Sequence, residues 1–152
     1  MSESYVPHVK QWYRNLKARD IDKVVGIFSE DAILVYGAAE SAVAVPYAKE
    51  ARGTGEIRAF YESRFAKGPD FAAIRPYCDI RKHICDLGRW VVVSGNIVDR
   101  NEDGTIGYSG SFLQIWSFDP LTRRATSTHV YFDVNAAISA PDTVMIDDLK
   151  DD

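Results

Sequence analysis

Helical periodicity dominates the first 65 residues and strand periodicity dominates the rest, and this segregation constrains the fold more than any other feature. Apolar residues recur every three or four positions in three short segments, and each segment predicts one buried helix face. These positions are Val6, Val9, Tyr13 and Leu16, then Ile21, Val24, Val25 and Phe28, then Ile57, Phe60, Tyr61 and Phe65. Asp20 is the predicted N-cap of the second helix.

Strand character begins after Gly68-Pro69, where β-branched and aromatic residues become frequent. The predicted strands cover residues 71–77, 78–86, 89–100, 108–118 and 125–134, and a shorter one precedes them at Ala32–Tyr36. Asp103-Gly104 is a typical hairpin turn between two of these strands. Helices and strands that are segregated along a chain predict an α+β fold with the helices on one sheet face. A sheet of long aromatic strands that curls over helices encloses an apolar pocket.

The segment from Ala38 to Arg52 contains Pro46 and is predicted to be a loop, which is long for a compact domain. Two interpretations of its second half are open. It is either a solvated connection or a functional lid whose polar side chains are Tyr47, Lys49, Glu50 and Arg52.

Charged residues are distributed unevenly along the 152 residues, a length that predicts one domain. Residues 141–152 (PDTVMIDDLKDD) hold five aspartates and one lysine and account for the whole net charge of −4. We therefore expect a domain at 1–140 and an acidic tail at 141–152. Because basic and acidic residues balance within 1–140, we expect no nucleic-acid partner and no membrane partner.

Several classes of protein and of site are excluded by what the sequence lacks. It has no apolar run long enough for a bilayer and no secretory signal at its start, so we expect a cytoplasmic protein. The two cysteines, Cys78 and Cys85, are too few for a disulfide framework. His8 and His83 have no partner at metal-ligand spacing, and no phosphate-binding glycine loop occurs. We therefore expect a site without metal or cofactor.

Three motifs resemble those of the nuclear transport factor 2-like superfamily, and in particular of its SnoaL-like members. They are KARDIDKVVGIFSEDA at 17–32, Arg52-Gly53 leading into IRAF at 57–60, and HVYFD at 129–133. The resemblance covers residues 5–138. It implies a cone of three helices packed on a strongly curved antiparallel sheet around an apolar pocket. The same fold hosts isomerases, cyclases, dehydratases, epoxide hydrolases and non-catalytic subunits, so the resemblance leaves the activity open.

The resemblance implies different catalytic residues for different branches of the superfamily. Ketosteroid isomerases carry a general-base aspartate where this chain has Tyr36. Their oxyanion-binding tyrosine and aspartic acid fall near Trp12 or Tyr13 and near Gln114. SnoaL-like polyketide cyclases carry an aspartate near the end of the last strand, and its closest counterpart is Asp133.

His129, Tyr131 and Asp133 alternate along the last predicted strand, so their side chains share one face of the sheet. If that face lines the pocket, His129 or Asp133 is the general base. Imidazole titrates near neutrality, and an apolar site raises the pKa of a carboxylate. If Val130 and Phe132 line the pocket instead, the three polar residues lie on the outer face of the sheet.

Gln114 is a single amide within the apolar strand FLQIW at 112–116. Because a buried amide needs hydrogen-bond partners, Gln114 either orients a ligand oxygen or bonds to a neighbouring backbone group or tyrosine. Tyr36 ends the first strand and is either a second donor to that oxygen or a packing aromatic. The other expected ligand contacts are Trp12, Tyr13, Phe60, Phe112 and Trp116.

Two functions fit these patterns. The first is a cofactor-independent enzyme that moves a proton on an apolar small molecule, by isomerisation, cyclisation or dehydration. Asp133 or His129 is then the base, and Gln114 with Tyr36 polarises an oxygen. The second is a non-catalytic binding or assembly module, which forms a homodimer through the outer sheet face around Leu113 and Ile115.

Overall fold

The computed structural model describes residues 3–40, 43–66 and 78–133, which contain three helices and six strands. The helices are α1 (Val6–Lys17), α2 (Ile21–Gly26) and α3 (Gly53–Ala66). The strands are β1 (Phe28–Glu40), β2 (Val43–Arg52), β3 (Cys78–Leu87), β4 (Trp90–Arg100), β5 (Ile106–Phe118) and β6 (Ala125–Asp133). This arrangement confirms the predicted α+β class. Within these ranges, no helix has the length and hydropathy needed to cross a membrane.

The six strands form one sheet in the order β2-β1-β6-β5-β4-β3. Neighbouring strands are antiparallel except β1 and β6, which run parallel. The sheet is therefore mixed at this one junction and not purely antiparallel as expected. This parallel pair joins β1 and β2 to the four strands that follow α3 in the chain. Helices α1 and α3 cover one face of the curved sheet, and the core lies between these helices and the sheet.

The segment at 38–52 is not the predicted loop, because it contains the end of β1 and the whole of β2. The backbone of β2 pairs with β1 up to Arg52, which lies opposite Ile33. This long ladder also makes β1 longer than the predicted Ala32–Tyr36. Pro46 is compatible with β2 because β2 is an edge strand, where a backbone without an N–H is tolerated. Since the segment belongs to the sheet, the lid interpretation is wrong.

The remaining predicted elements that the structure describes lie close to their expected positions. Strands β3 to β6 match four predicted strands, and Asp103-Gly104 forms the predicted turn. There the Gly104 N–H donates to the Asn101 carbonyl oxygen at 2.9 Å, and Gly104 has a φ of +85°. The predicted strand at 71–77 and the acidic tail at 141–152 lie outside the described residues.

The helices present the apolar faces that their periodicity predicts. The buried side chains are Val9, Trp12, Tyr13 and Leu16 on α1 and Ile57, Phe60 and Tyr61 on α3. Helix α2 begins at the predicted cap, where the Asp20 carboxylate accepts a hydrogen bond from the Lys23 backbone N–H at 3.2 Å. This cap satisfies one of the N–H groups that a helix start leaves unpaired.

Candidate ligand-binding cavity between helices and sheet

A cavity of about 50 Å³ lies between α1, α3 and the inner face of the sheet. Its lining is apolar apart from one amide and three phenol hydroxyls. The lining residues are Trp12, Tyr13, Leu16, Tyr36, Phe60, Tyr61, Ile80, Ile97, Phe112, Gln114 and Val130. All of them are buried except Tyr36, which is partly exposed, so the cavity meets solvent at Tyr36. The volume has room for a small organic group.

The register of three adjacent strands explains why the polar residues share the cavity. Gln114 on β5 lies directly opposite Val130 on β6, which in turn lies opposite Tyr36 on β1. Residues that are directly opposite each other in neighbouring strands point to the same face of a sheet. Gln114, Val130 and Tyr36 therefore form a row across the cavity floor.

A buried hydrogen-bond chain runs along one wall of the cavity. The Tyr13 hydroxyl on α1 donates to Gln114 Oε1, and Gln114 Nε2 donates to Thr128 Oγ1 at 3.0 Å. Gln114 is 2% exposed and Thr128 is 0% exposed. Gln114 therefore bonds a tyrosine, as one of the two alternatives predicted, and its contact with a ligand oxygen stays a prediction. This chain ties α1 to β5 and β6 and fixes the orientation of the Gln114 amide.

A buried lysine lies behind this wall. Lys82 on β3 is 4% exposed, and its Nζ lies 4.8 Å from the centroid of the Tyr13 ring. An ammonium group over an aromatic face is attracted by the quadrupole of the ring. The amino group of Lys82 therefore lies close to the phenol that contacts Gln114.

Two of the three cavity phenols are held in their neutral form by burial. Burial raises the pKa of Tyr13 well above the ordinary value near 10, and the neighbouring Tyr61 raises it further. The pKa of Tyr61 is raised mainly by its own burial and also by Tyr36. Both groups are therefore hydrogen-bond donors at neutral pH and are not available there as bases.

Alkaline pH is expected to destabilise the fold through Tyr13 and Tyr61. Because their pKa values are higher in the folded than in the unfolded chain, the folded state binds more protons once unfolded tyrosines ionise. Their contribution is fully present below about pH 10 and declines above it, by up to about 1.4 kcal/mol per pH unit for each tyrosine. Urea unfolding between about pH 8 and 11 measures this decline. Tyr61→Phe should make it shallower, and identical slopes for both proteins would contradict the assignment.

His129 lies on the outer face of the sheet, away from the cavity. Because Val130 lines the cavity, the alternation of side chains along β6 turns His129 to the other side. The His129 Nδ1 lies 3.2 Å from the Tyr131 hydroxyl, and Tyr131 is 43% exposed. The prediction that His129 acts in the pocket beside Gln114 is therefore wrong, and the alternative with Val130 in the pocket holds.

The other predicted site residues divide into three groups. Trp12, Tyr13, Phe60 and Phe112 line the cavity together with Gln114 and Tyr36, and their contact with a ligand stays a prediction. Trp116 is not among the lining residues. Instead it packs behind Trp12, with the ring centroids 5.0 Å apart, and supports the cavity wall. Asp133 ends β6 with its backbone opposite Ser111, but its side chain lies outside the described part of the structure, so its role stays a prediction.

Lys82 and Thr128 were not among the residues predicted to form the site. The sequence contained a signal for Lys82. It lies two residues from both Ile80 and Ile84 on β3, so its side chain shares a sheet face with these two apolar residues. Thr128 had a similar signal, since it lies two residues from Val130 and its side chain shares the same sheet face.

Among the described residues, no cluster of three or more histidine, cysteine or acidic residues has the arrangement of a metal site.

The outer face of the sheet carries the residues predicted for a dimer contact. Leu113 is 39% exposed and lies directly opposite Tyr131, which is 43% exposed. Ile115 lies opposite His129, two residues further along the same two strands. The homodimer itself stays a prediction.

No protein-family model matches the chain, and no curated protein sequence matches it significantly. Several solved structures are similar over most of its length. An NTF2-like protein from Burkholderia xenovorans LB400 has a TM-score of 0.59 and 14% identity, and the match covers 92% of this chain and 96% of that one. A putative SnoaL-like polyketide cyclase from Shewanella denitrificans OS-217 has a TM-score of 0.53 and 21% identity, covering 87% and 95%.

A third similar structure is the epoxide hydrolase/cyclase-like enzyme SalBIII, described for pyran ring formation in the polyether salinomycin. Its TM-score is 0.52 at 17% identity, and the match covers 82% of this chain and 86% of that one. Similarities at 14–21% identity establish the fold and not the activity. With its helices packed on a curved six-stranded sheet around an apolar cavity, this chain has the nuclear transport factor 2-like fold.

Proposed function

We propose that the chain binds an apolar small molecule with one carbonyl or hydroxyl oxygen, and that Gln114 and Tyr13 hold this oxygen. The observation that carries the proposal is the buried chain from Tyr13 through Gln114 to Thr128 at the wall of an otherwise apolar cavity. Pockets for small molecules combine a mostly apolar lining with a few oriented polar groups in this way.

The hydrogen-bonding capacity of this wall favours a ligand that carries an oxygen. Gln114 uses its carbonyl oxygen for Tyr13 and one amide hydrogen for Thr128, so a second amide hydrogen remains. The Tyr13 oxygen also keeps lone pairs. A purely apolar ligand would displace water from these groups and replace none of its hydrogen bonds. A ligand oxygen accepts from the amide or donates to the phenol, and the site then rejects its hydrocarbon analogue.

The second candidate function is catalysis of proton transfer, as in isomerisation, cyclisation or dehydration. It is favoured by the neutral phenol of Tyr61, because a buried donor of this kind stabilises negative charge that develops on an oxygen. Two proteins of similar fold are described as cyclase-like, the Shewanella protein and SalBIII. The lining residues include no carboxylate or imidazole, so this candidate needs a base from outside the described lining. Asp133 serves only if the alternation that turns His129 to the outer face is broken before the end of β6.

Gln114→Met is expected to weaken ketone binding about three- to tenfold, because it keeps the side-chain length but removes the hydrogen bonds of a neutral amide. Acetone is a suitable probe for so small a cavity, and its affinity can be followed by NMR titration. The control is Thr126→Val, which removes a hydroxyl that donates to the Ser117 carbonyl oxygen and does not line the cavity. Unchanged acetone affinity in Gln114→Met would contradict the proposal.

The same titration in deuterated water separates the two candidate functions. A catalyst for proton transfer exchanges the α-hydrogens of the bound ketone for deuterium faster than buffer does. A binding module leaves that exchange at the rate in buffer. Binding without exchange therefore supports the first candidate alone.

A further inference from the structure

Arg64 lies at the rim of the cavity, in the last turn of α3. Its guanidinium carbon is 4.9 Å from the centroid of the Tyr36 ring and 5.0 Å from the centroid of the Phe60 ring. Both rings line the cavity, and Tyr36 is the lining residue that reaches solvent. Stacking on two rings restricts the plane of the guanidinium and holds it beside the opening.

The donors of Arg64 are unused within the described structure, in contrast to those of nearby arginines. Arg58 on the same helix pairs with Asp22 at 2.7 Å and with Glu62 at 3.6 Å, and Arg52 pairs with Glu50 at 2.9 Å. Arg64 forms neither an ion pair nor a hydrogen bond with any residue in the described ranges. Its planar fork of N–H groups is therefore available at the cavity opening.

The positive charge of Arg64 also acts inside the cavity. Burial and the neighbouring Tyr36 raise the pKa of Tyr61, and the charge of Arg64 opposes them by favouring the phenolate. The charge of Arg64 therefore reaches this lining hydroxyl, where burial and Tyr36 outweigh it. The chain as a whole carries a net charge of −4, so an anion gains nothing from the overall charge of the protein. Any preference for an anion must come from a local cation.

We propose that Arg64 makes the cavity selective for small apolar carboxylic acids, with the carboxylate on Arg64 at the rim and the apolar part inside. The inference rests on the proposed function and extends it, since the ligand then carries a second oxygen that reaches Gln114. Two parallel N–H groups of a guanidinium match the two oxygens of a carboxylate. The one positive charge of a guanidinium also balances the one negative charge of a carboxylate. The ligand class is a keto or hydroxy acid with a short apolar spacer.

The test compares levulinate, a keto acid, with its uncharged methyl ester. Both compounds are titrated by NMR into the unaltered chain, into Arg64→Gln and into Arg64→Lys. The matched control is Arg89→Gln, because Arg89 also lies over an aromatic ring, 5.5 Å from the Trp90 centroid, but on an exposed turn outside the cavity lining. A thermal melt of each variant checks that it is folded.

Levulinate is expected to bind the unaltered chain more tightly than its ester, and Arg64→Gln should weaken levulinate about five- to tenfold. The ester should be unaffected by that change, Arg64→Lys should restore part of the levulinate affinity, and Arg89→Gln should alter neither compound. Equal binding of acid and ester, or an equal loss of both in Arg64→Gln, would overturn the role of Arg64 while leaving the ketone site intact. Failure of both compounds to bind the unaltered chain would overturn the proposed function itself.

Discussion

Trp116→Ala is expected to lower the free energy of unfolding by about 3–5 kcal/mol. The Trp116 ring is 0% exposed and packs against three other rings. It meets Trp12 edge to face at 5.0 Å and stacks with Phe28 at 5.7 Å and Phe118 at 6.0 Å between centroids. Removing it leaves a large void that these neighbours fill only in part, so both transfer energy and packing are lost. Urea unfolding followed by circular dichroism measures the change.

Two further tryptophan variants make this prediction specific. Trp90 is 44% exposed, so Trp90→Ala should cost less than about 1 kcal/mol. Trp116→Phe keeps an aromatic ring and removes an indole N–H that is buried without a hydrogen-bond partner among the described residues. Trp116→Phe should therefore lower the free energy of unfolding by less than Trp116→Ala does. Similar losses for the alanine variants of Trp116 and Trp90 would contradict the assignment of Trp116 to the core.

Gly95→Ala is expected to lower the free energy of unfolding by about 3 kcal/mol, at the upper end of what one extra methyl group costs in a packed core. Gly95 lies on β4 opposite Lys82 on β3 and Phe112 on β5. An added Cβ would collide with the Arg81 carbonyl oxygen, which is backbone and cannot rotate away. Glycine is needed here because two backbones approach closely. Relief requires a shift of β3 or β4, which also displaces the cavity wall.

Gly26→Ala is the matched control for this prediction, because a Cβ at Gly26 would meet nothing within 4 Å. Gly26 is the last residue of α2, where alanine is the better helix former by up to about 1 kcal/mol. Gly26→Ala should therefore be neutral or stabilising. Equal unfolding midpoints in urea for Gly95→Ala and the unaltered chain would show that the strands accommodate the methyl group.

The elements that could be predicted from the sequence are those with a local physical signal. The faces of α1 and α3 follow from apolar spacing, the start of α2 from the cap at Asp20, and one hairpin from Asp103-Gly104. Strand β2 has no such signal. Its ladder with β1 is a pairing between chain segments, and Pro46 with its polar neighbours favours a loop when considered locally.

The candidate site was predictable in part for the same reason. Gln114 stands out because one amide occurs among apolar residues of a strand, and Tyr13 belongs to a helix face that must be buried. The partners of Gln114 were not predictable. Tyr13 is 101 positions away along the chain, and only the packing of α1 on the sheet brings its hydroxyl to the amide. The position of Arg64 over Tyr36 and Phe60 likewise depends on how α3 lies against β1.

The sequence by itself determined the α+β class and the alternation of side chains along β6. It did not determine which set of alternating side chains faces the helices. Val130 and Phe132 form one set and His129 and Tyr131 the other, and each set contains a bulky aromatic residue that could be buried. Only the tertiary structure decided this, by pairing β6 with β5 so that Val130 lies opposite Gln114. A shift of one residue in that register would exchange Val130 for His129 in the cavity. The register depends on hydrogen bonds between strands, which no local pattern along one strand specifies.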